Sequence, residues 1–331
     1  MVRLKAVANT AAAIEEEASA LRVDPESMLR RLEWTVLRRL DGLLQGDYRT
    51  LFRGSGLDLA DLREYQPDDD VRYIDWNVTA RLQIPHIREF QEDREITAWF
   101  LLDLSGSIDF GSGRMRKRTL AAEFVALLSR LLTRYGNRVG AILYCDGAHL
   151  VIPPRSGRRH VLHLIDEMLA FKAAPDAGSE TDLAGLIGFA QPVMKRRSVV
   201  FLVSDFISKP GWGKGLSMLA RRHEVIAVRL YDPLEQELPD LGLIVMQDAE
   251  TGEQMFVDTH DRKFRQRFAT AAAQREERLR TVLGESGVDC LELGTDDPLD
   301  EALLQFTRLR KRRSQLASGG VARSVAYGSQ P

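Results

Sequence analysis

Apolar residues run along this chain in two rhythms. In residues 96–102 and 197–203 the apolar positions are nearly unbroken and β-rich in type, which predicts short strands buried on both faces. Residues 138–144, 225–230 and 289–293 repeat that pattern. Between them the spacing changes to three and four, predicting helices over residues 120–132, 160–171, 262–283 and 299–310. A further helical pattern starts at Thr181, with Ser179 as its N-cap and Asp182 three residues on. Strand and helix alternate from residue 95 onward, the signature of a doubly wound α/β domain whose mostly parallel sheet carries helices on both faces.

Outside that alternation the patterning predicts smaller pieces. Asp24-Pro25 reads as an N-cap and first helical residue, and Leu29, Leu32, Val36, Leu40 and Leu43 follow at helical spacing. The opposite face of that helix carries Arg30, Arg31, Arg38 and Arg39, expected to be solvated. Residues 242–246 and 254–257 flank Glu250-Thr251-Gly252-Glu253 and predict a β-hairpin. The chain thus divides into an N-terminal helical region (1–45), a linking segment (46–94) expected to pack with the 240–258 hairpin as a small accessory β-rich unit, the α/β domain (95–310), and a tail (311–331) expected to be disordered.

Composition narrows the function. A chain of 331 residues, 44% hydrophobic and 28% charged, can bury a substantial core as one large domain or two smaller ones. A net charge of −2 supplies no basic field, so nucleic acid is an unexpected partner. Glu15-Glu16-Glu17 interrupts the first residues, which argues against a signal peptide, and no stretch reaches membrane-spanning length, so a cytoplasmic protein is expected. The two cysteines, Cys145 and Cys290, each lie in a strand-like run and read as buried thiols. Lys209 to Lys214 lacks phosphate-loop spacing, and His160 and His163 have no partners to complete a zinc set.

The candidate chemistry lies at strand ends. Asp103-Leu104-Ser105-Gly106-Ser107 follows the first buried strand, Ser204-Asp205 follows the second, and Thr181-Asp182 opens a helix. In a parallel sheet such tips share one edge, where residues distant in sequence converge. Two carboxylates and three hydroxyls form an all-oxygen donor set suited to a hard cation, Mg²⁺ first, with Mn²⁺ or Ca²⁺ as alternatives. The D-x-S-x-S string alone also suits a Ser- and Gly-rich turn that needs no ion. The five residues Asp103, Ser105, Ser107, Thr181 and Asp205 are expected to meet at an exposed edge of the sheet.

At these positions the chain resembles the von Willebrand factor A domain, a Rossmann-like fold whose metal-ion-dependent adhesion site carries D-x-S-x-S, a later Thr and a later Asp. The resemblance spans residues 95–293. It implies that Ser105, Ser107 and Thr181 bind the ion directly, that Asp103 and Asp205 act directly or through water, and that a partner's Glu or Asp completes the shell.

A second resemblance lies upstream. Arg53-Gly54-Ser55-Gly56-Leu57-Asp58, the stretch from Leu62-Arg63-Glu64-Tyr65-Gln66-Pro67-Asp68-Asp69-Asp70 to Val71-Arg72-Tyr73-Ile74-Asp75-Trp76, and then Ala80-Arg81 resemble a bacterial domain-of-unknown-function family of von Willebrand factor A proteins encoded with MoxR-type AAA+ ATPases. Where that family shows Pro-Gly-Asp-Asp, this chain has Pro67-Asp68-Asp69-Asp70; Asp tolerates left-handed backbone angles better than most residues. Read on its own, the segment offers Arg72, Asp75, Arg81 and Glu64 as a hydrogen-bonded network with Tyr73 and Trp76 as packing anchors, or a face that docks another protein.

These readings together predict a non-enzymatic, metal-dependent protein-interaction module, an adaptor or co-chaperone for a MoxR-type AAA+ ATPase or a client offering Glu or Asp. The competing expectation is a Mg²⁺-dependent phosphohydrolase with Asp103 as nucleophile. That chemistry needs a second acid two residues on, and position 105 is Ser.

Overall fold

The computed structural model describes residues 2–5, 24–37, 61–66, 71, 74–89, 96–113, 115–145, 147–171, 181–248 and 254–318. The first half of the chain supplies β1 (Val2–Lys5), α1 (Pro25–Leu32), β2 (Asp61–Glu64), α2 (Trp76–Leu82), β3 (His86–Glu89), β4 (Thr97–Asp103), α3 (Lys117–Arg134), β5 (Arg138–Cys145), β6 (Ala148–Arg155) and α4 (Arg158–Ala170). The second half supplies α5 (Leu183–Val193), β7 (Val199–Ser204), α6 (Trp212–Arg222), β8 (Glu224–Tyr231), β9 (Leu243–Asp248), β10 (Gln254–Asp258), α7 (Arg262–Ser286), β11 (Asp289–Gly294) and α8 (Leu299–Ser318).

Six strands form the central sheet in the order β11-β8-β7-β4-β5-β6, all parallel except β6, which returns antiparallel to β5. The chain winds outward from β4 in both directions, so helices must cross on both faces. Side chains of β4 alternate between the two resulting cores. Ala98, Phe100 and Leu102 face α1, α3, α4 and α8, whereas Trp99 and Leu101 face α5, α6 and α7. Phe100 stacks on Phe201 at a centroid distance of 5.2 Å, and both meet Phe124 of α3 edge-on.

Helix α3 is buried almost all round, because the sheet lies on one side and α1 and α4 on the other. The Asp24 carboxylate caps α1, accepting from Ser27 N–H at 2.9 Å, and Met28, Leu29 and Leu32 seal the helix onto α3. The arginine face of α1 is less free than its sequence suggests. Arg31 pairs with buried Glu123 of α3, and Arg130 of α3 reaches Glu33 at 2.5 Å.

Several boundaries differ from expectation. Residues 2–5, placed in a helical region by the sequence, form a strand instead, and the hairpin β9–β10 takes β1 as its third strand; β2 and β3 form a separate two-stranded sheet. Four alternating residues suffice for an edge strand yet carry too little pattern to be read alone. Helix α8 continues to Ser318, eight residues beyond the expected stop at 310, since Lys311 to Ser318 are mostly good helix formers. Arg310 anchors it to Asp289 at 3.0 Å and Glu224 at 2.7 Å. The cap of α5 is Asp182, not Ser179, which lies outside the described residues. Cys145 is buried and Cys290 half-buried, and among the described residues neither forms a disulfide; burial pushes Cys290 up to about 12. Among the described residues no helix is long and apolar enough to cross a membrane.

Candidate metal centre

Strand register assembles the centre. Pairing of Leu102 with Val203 puts Asp103 and Ser204 side by side where β4 and β7 end. Ser204 Oγ donates to Asp103 Oδ2 at 2.7 Å and accepts from Phe206 N–H at 2.9 Å. The other Asp103 oxygen accepts from Ser105 N–H at 3.1 Å, so the chain bends sharply as it leaves the strand. A single 3-10 turn, Gly106–Asp109, then brings Ser107 Oγ to 3.1 Å from Ser105 Oγ. Arg118 clamps this turn from α3, donating to Asp109 at 2.6 Å and to the Leu104 carbonyl at 3.3 Å.

Thr181 enters from the third loop. Ser208 Oγ donates to the Thr181 carbonyl at 2.8 Å, Lys209 N–H reaches the same oxygen at 3.0 Å, and Leu183 N–H donates back to Ser208 Oγ at 3.0 Å. These bonds stitch the start of α5 to the loop carrying Asp205. The first turn of α5 also needs Gly185, since a Cβ there would come within 2.5 Å of the Tyr144 hydroxyl. The five sequence-selected residues therefore stand on three interlocked loops at the carboxyl edge of the sheet. They differ from expectation in exposure: each is at least 96% buried, because the loops fold over one another instead of splaying into solvent.

Electrostatics distinguish the two carboxylates. Burial first, and the Asp205 charge next, push Asp103 up to about 6, against the hydrogen bonds from Ser204 and Ser105. Among the described residues no cationic side chain pairs with it. Asp205 has one: Lys117 Nζ, wholly buried at the start of α3, donates to Asp205 Oδ2 at 2.7 Å and to Glu235 Oε1 at 2.8 Å. Burial alone would push the ammonium down; the two carboxylates override it and hold Lys117 above the ordinary lysine value. Asp205 Oδ1 accepts from Ile207 N–H at 3.0 Å. Both carboxylates are thus oriented by protein donors, while the hydroxyls of Ser105 and Ser107 are bonded to each other.

Sequence reasoning missed Lys117, Glu235 and Arg118. Lys117 lies 88 residues from Asp205, and in sequence it is one of several basic residues at the start of a helix. Glu235 is placed by the short turn Pro233–Glu235, capped by Asp232, whose carboxylate also binds Ser112 and Thr295.

A family model described as a protein of unknown function, DUF58, matches residues 61–278. The chain belongs to this family. An uncharacterized protein of Mycobacterium tuberculosis is 39% identical over 294 residues, covering 87% of this chain and 91% of that one, and one from Mycobacterium bovis matches equally. An uncharacterized Mycobacterium avium protein is 35% identical over 161 residues, 49% of this chain and 94% of its own. Among solved structures, the conserved hypothetical protein BatB from Bacteroides thetaiotaomicron (14% identity, TM-score 0.40) and an aerotolerance-related membrane protein from Bacteroides fragilis (12%, TM-score 0.42) each align with 66% of this chain and 99% of their own. Scores so low leave the fold to be read from this chain itself.

The DUF58 match includes the upstream segment from residue 61 onward as well as all five site residues. In that segment Asp75 caps α2, accepting from Asn77 N–H at 3.0 Å and Val78 N–H at 3.2 Å, and is itself buried. Trp76 is 70% exposed, so it is not the packing anchor its aromatic character suggests, and Arg81 is exposed as well. Arg72, Tyr73 and Asp68 to Asp70 lie outside the described residues.

Proposed function

We propose that this DUF58 protein is a metal-dependent protein-interaction module built on a von Willebrand factor A-like domain, with Asp103, Ser105, Ser107, Thr181 and Asp205 as its adhesion site. One observation carries the reading: two buried carboxylates stand beside paired serine hydroxyls, burial first and the Asp205 charge next push Asp103 up to about 6, and the ammonium of Lys117 pairs with Asp205 and Glu235 while, among the described residues, no cation pairs with Asp103. Such a donor set, all oxygen with excess negative charge, suits Mg²⁺, and Mn²⁺ or Ca²⁺ less well.

In this reading Ser105, Ser107 and Thr181 hold the ion directly. Asp103 and Asp205 support it from behind, because both oxygens of each already accept protein hydrogen bonds. A bound Mg²⁺ would supply an electrophilic position for a carboxylate of a partner. The partner we propose is a MoxR-type AAA+ ATPase or one of its clients, met in the cytoplasm, with the present chain as non-enzymatic adaptor.

The test is a binding assay between the purified full chain and a MoxR-type AAA+ ATPase from the same organism, in Mg²⁺ and in EDTA, with Thr181→Ala as control. The proposal expects binding in Mg²⁺ that both EDTA and the substitution abolish. Binding that ignores both would refute the adhesion-site role.

A further inference from the structure

Beside the metal centre lies a cavity of about 360 Å³ that the adhesion-site reading does not use. One wall is the loop that carries Asp205 and continues through Phe206 and Ile207 to Trp212. The facing wall is α7, through Ala272, Leu279 and Val282, and Arg229 of β8 closes the back. Its volume falls within the range of sites that accept a side chain or small ligand, about 300–1,000 Å³.

Three features say what would enter. First, the lining is mainly apolar and partly aromatic: Phe206, held at φ +58° in the left-handed region that a non-glycine residue rarely adopts, sets its ring 5.5 Å from that of Trp212. Second, Arg229 is 92% buried; its terminal nitrogens pair with Glu276 and Glu292, yet its Nε has no hydrogen-bond partner among the described residues. Nε is itself closed to solvent, so an acceptor oxygen of an occupant satisfies that donor only if the guanidinium turns toward the cavity. Third, the carboxylates that line the cavity, Asp205, Glu235 and Glu276, are paired with Lys117 and Arg229, which leaves the exposed Arg275 and Arg278 to give the rim positive charge.

We infer that this cavity is a second subsite for the partner: it takes an apolar, preferably aromatic, side chain from the peptide segment whose Glu or Asp meets the ion. An acidic peptide segment supplies an apolar side chain, backbone carbonyl oxygens and negative charge together, and is the occupant that could also reach the ion beside Asp205. Asp205 borders both sites, so the two anchoring residues lie within a few positions of each other in the partner. The inference rests on the adhesion-site reading, and the experiment separates the two.

A phage-displayed library of random hexapeptides with one fixed Glu is panned on the full chain in Mg²⁺ and in EDTA. The expected result is a set of Mg²⁺-dependent clones with an apolar residue at a constant offset from the Glu. Ala272→Trp, which fills the cavity, should erase that preference and weaken the selected synthetic peptides about tenfold or more, as expected for one lost apolar anchor, while Mg²⁺-dependent Glu binding persists. Leu279→Ala, which enlarges the cavity, should shift the preference toward larger rings and covers the case in which Ala272→Trp fails to fold. Mg²⁺-dependent clones without an apolar preference, or a preference unmoved by either variant, would overturn the subsite and leave the adhesion site standing. An apolar preference that survives EDTA would overturn the adhesion site, and with it the pairing of the two subsites.

Discussion

The Lys117 ammonium sits 2.7 Å from Asp205, both fully buried, at the point where α3 begins and β7 ends. A buried ion pair of this kind contributes little as a pair, but removing one partner strands the other. Lys117→Met leaves Asp205 and Glu235 without their cation and should cost about 3–5 kcal/mol in urea denaturation. A loss below about 1 kcal/mol would mean that water already reaches these carboxylates and that Lys117 does not set their charge balance.

Ser204 makes two bonds with one hydroxyl, to Asp103 and from Phe206 N–H. Ser204→Ala should leave a buried acceptor and a buried donor unsatisfied and destabilise the chain by about 1–3 kcal/mol. It should also weaken the response to Mg²⁺, because Asp103 loses the donor that orients it. Unchanged stability together with a full metal response would show that another group takes over the hydroxyl's place.

Within the upstream segment Asp75 should matter more to stability than Trp76. Asp75→Ala removes the cap of α2 and should cost about 1 kcal/mol. Trp76→Ala, at a position 70% exposed, should stay within about 0.5 kcal/mol of wild type. Thermal melts that rank Trp76→Ala as the costlier change would mean the indole packs where the present account leaves it in solvent.

Protonation of the buried His223 on mild acidification should cost stability, against the opposite contribution of Asp103, Glu224 and Glu235, whose values are raised. His223 is buried, neither ring nitrogen has a hydrogen-bond partner among the described residues, and burial first, with Arg222 and Arg197 next, pushes it below its ordinary value of 6.5. His160 shifts the same way, also mainly through burial. The unfolded chain therefore takes up protons that the folded chain refuses. The stability present above pH 6.5 is lost as pH falls from that value toward the depressed folded one. Asp103, raised to about 6, works in the opposite sense over the lower part of this range, so the comparison is a difference between proteins. His223→Leu should lose less stability than wild type between about pH 7 and 5 in urea melts. Parallel losses would remove His223 from the account.

What could be read from sequence follows the range of each signal. The strands around Phe100 and Phe201 are buried on both faces, so their own composition declares them, and the position of Asp103 and Asp205 at their ends follows directly. Thr181 could be placed because α5 starts beside it. Burial of the site could not, since it depends on Ser208 reaching Thr181 and Arg118 of α3 reaching Leu104, bonds between separate elements that no local pattern reports. Lys117 was hidden for the same reason: a lysine within the basic run from Arg114 to Arg118 ordinarily marks a solvated position, and only the fold sets it between Asp205 and Glu235. The strand at Val2–Lys5 owes its existence to a hairpin more than 230 residues downstream, and no local pattern reports such a partner.

The central claim is that this cluster binds a divalent cation through its hydroxyls. Titration calorimetry of the full chain with Mg²⁺, paired with urea denaturation in Mg²⁺ and in EDTA, addresses it for wild type and for the Ser105→Ala, Ser107→Ala double variant. The account predicts saturable binding of one ion by wild type and, at a hundredfold excess of Mg²⁺ over its Kd, a stability gain of about 2.7 kcal/mol. The double variant should fold in EDTA and show neither heat nor gain. Absence of binding by wild type, or equal binding by the variant, would contradict the claim.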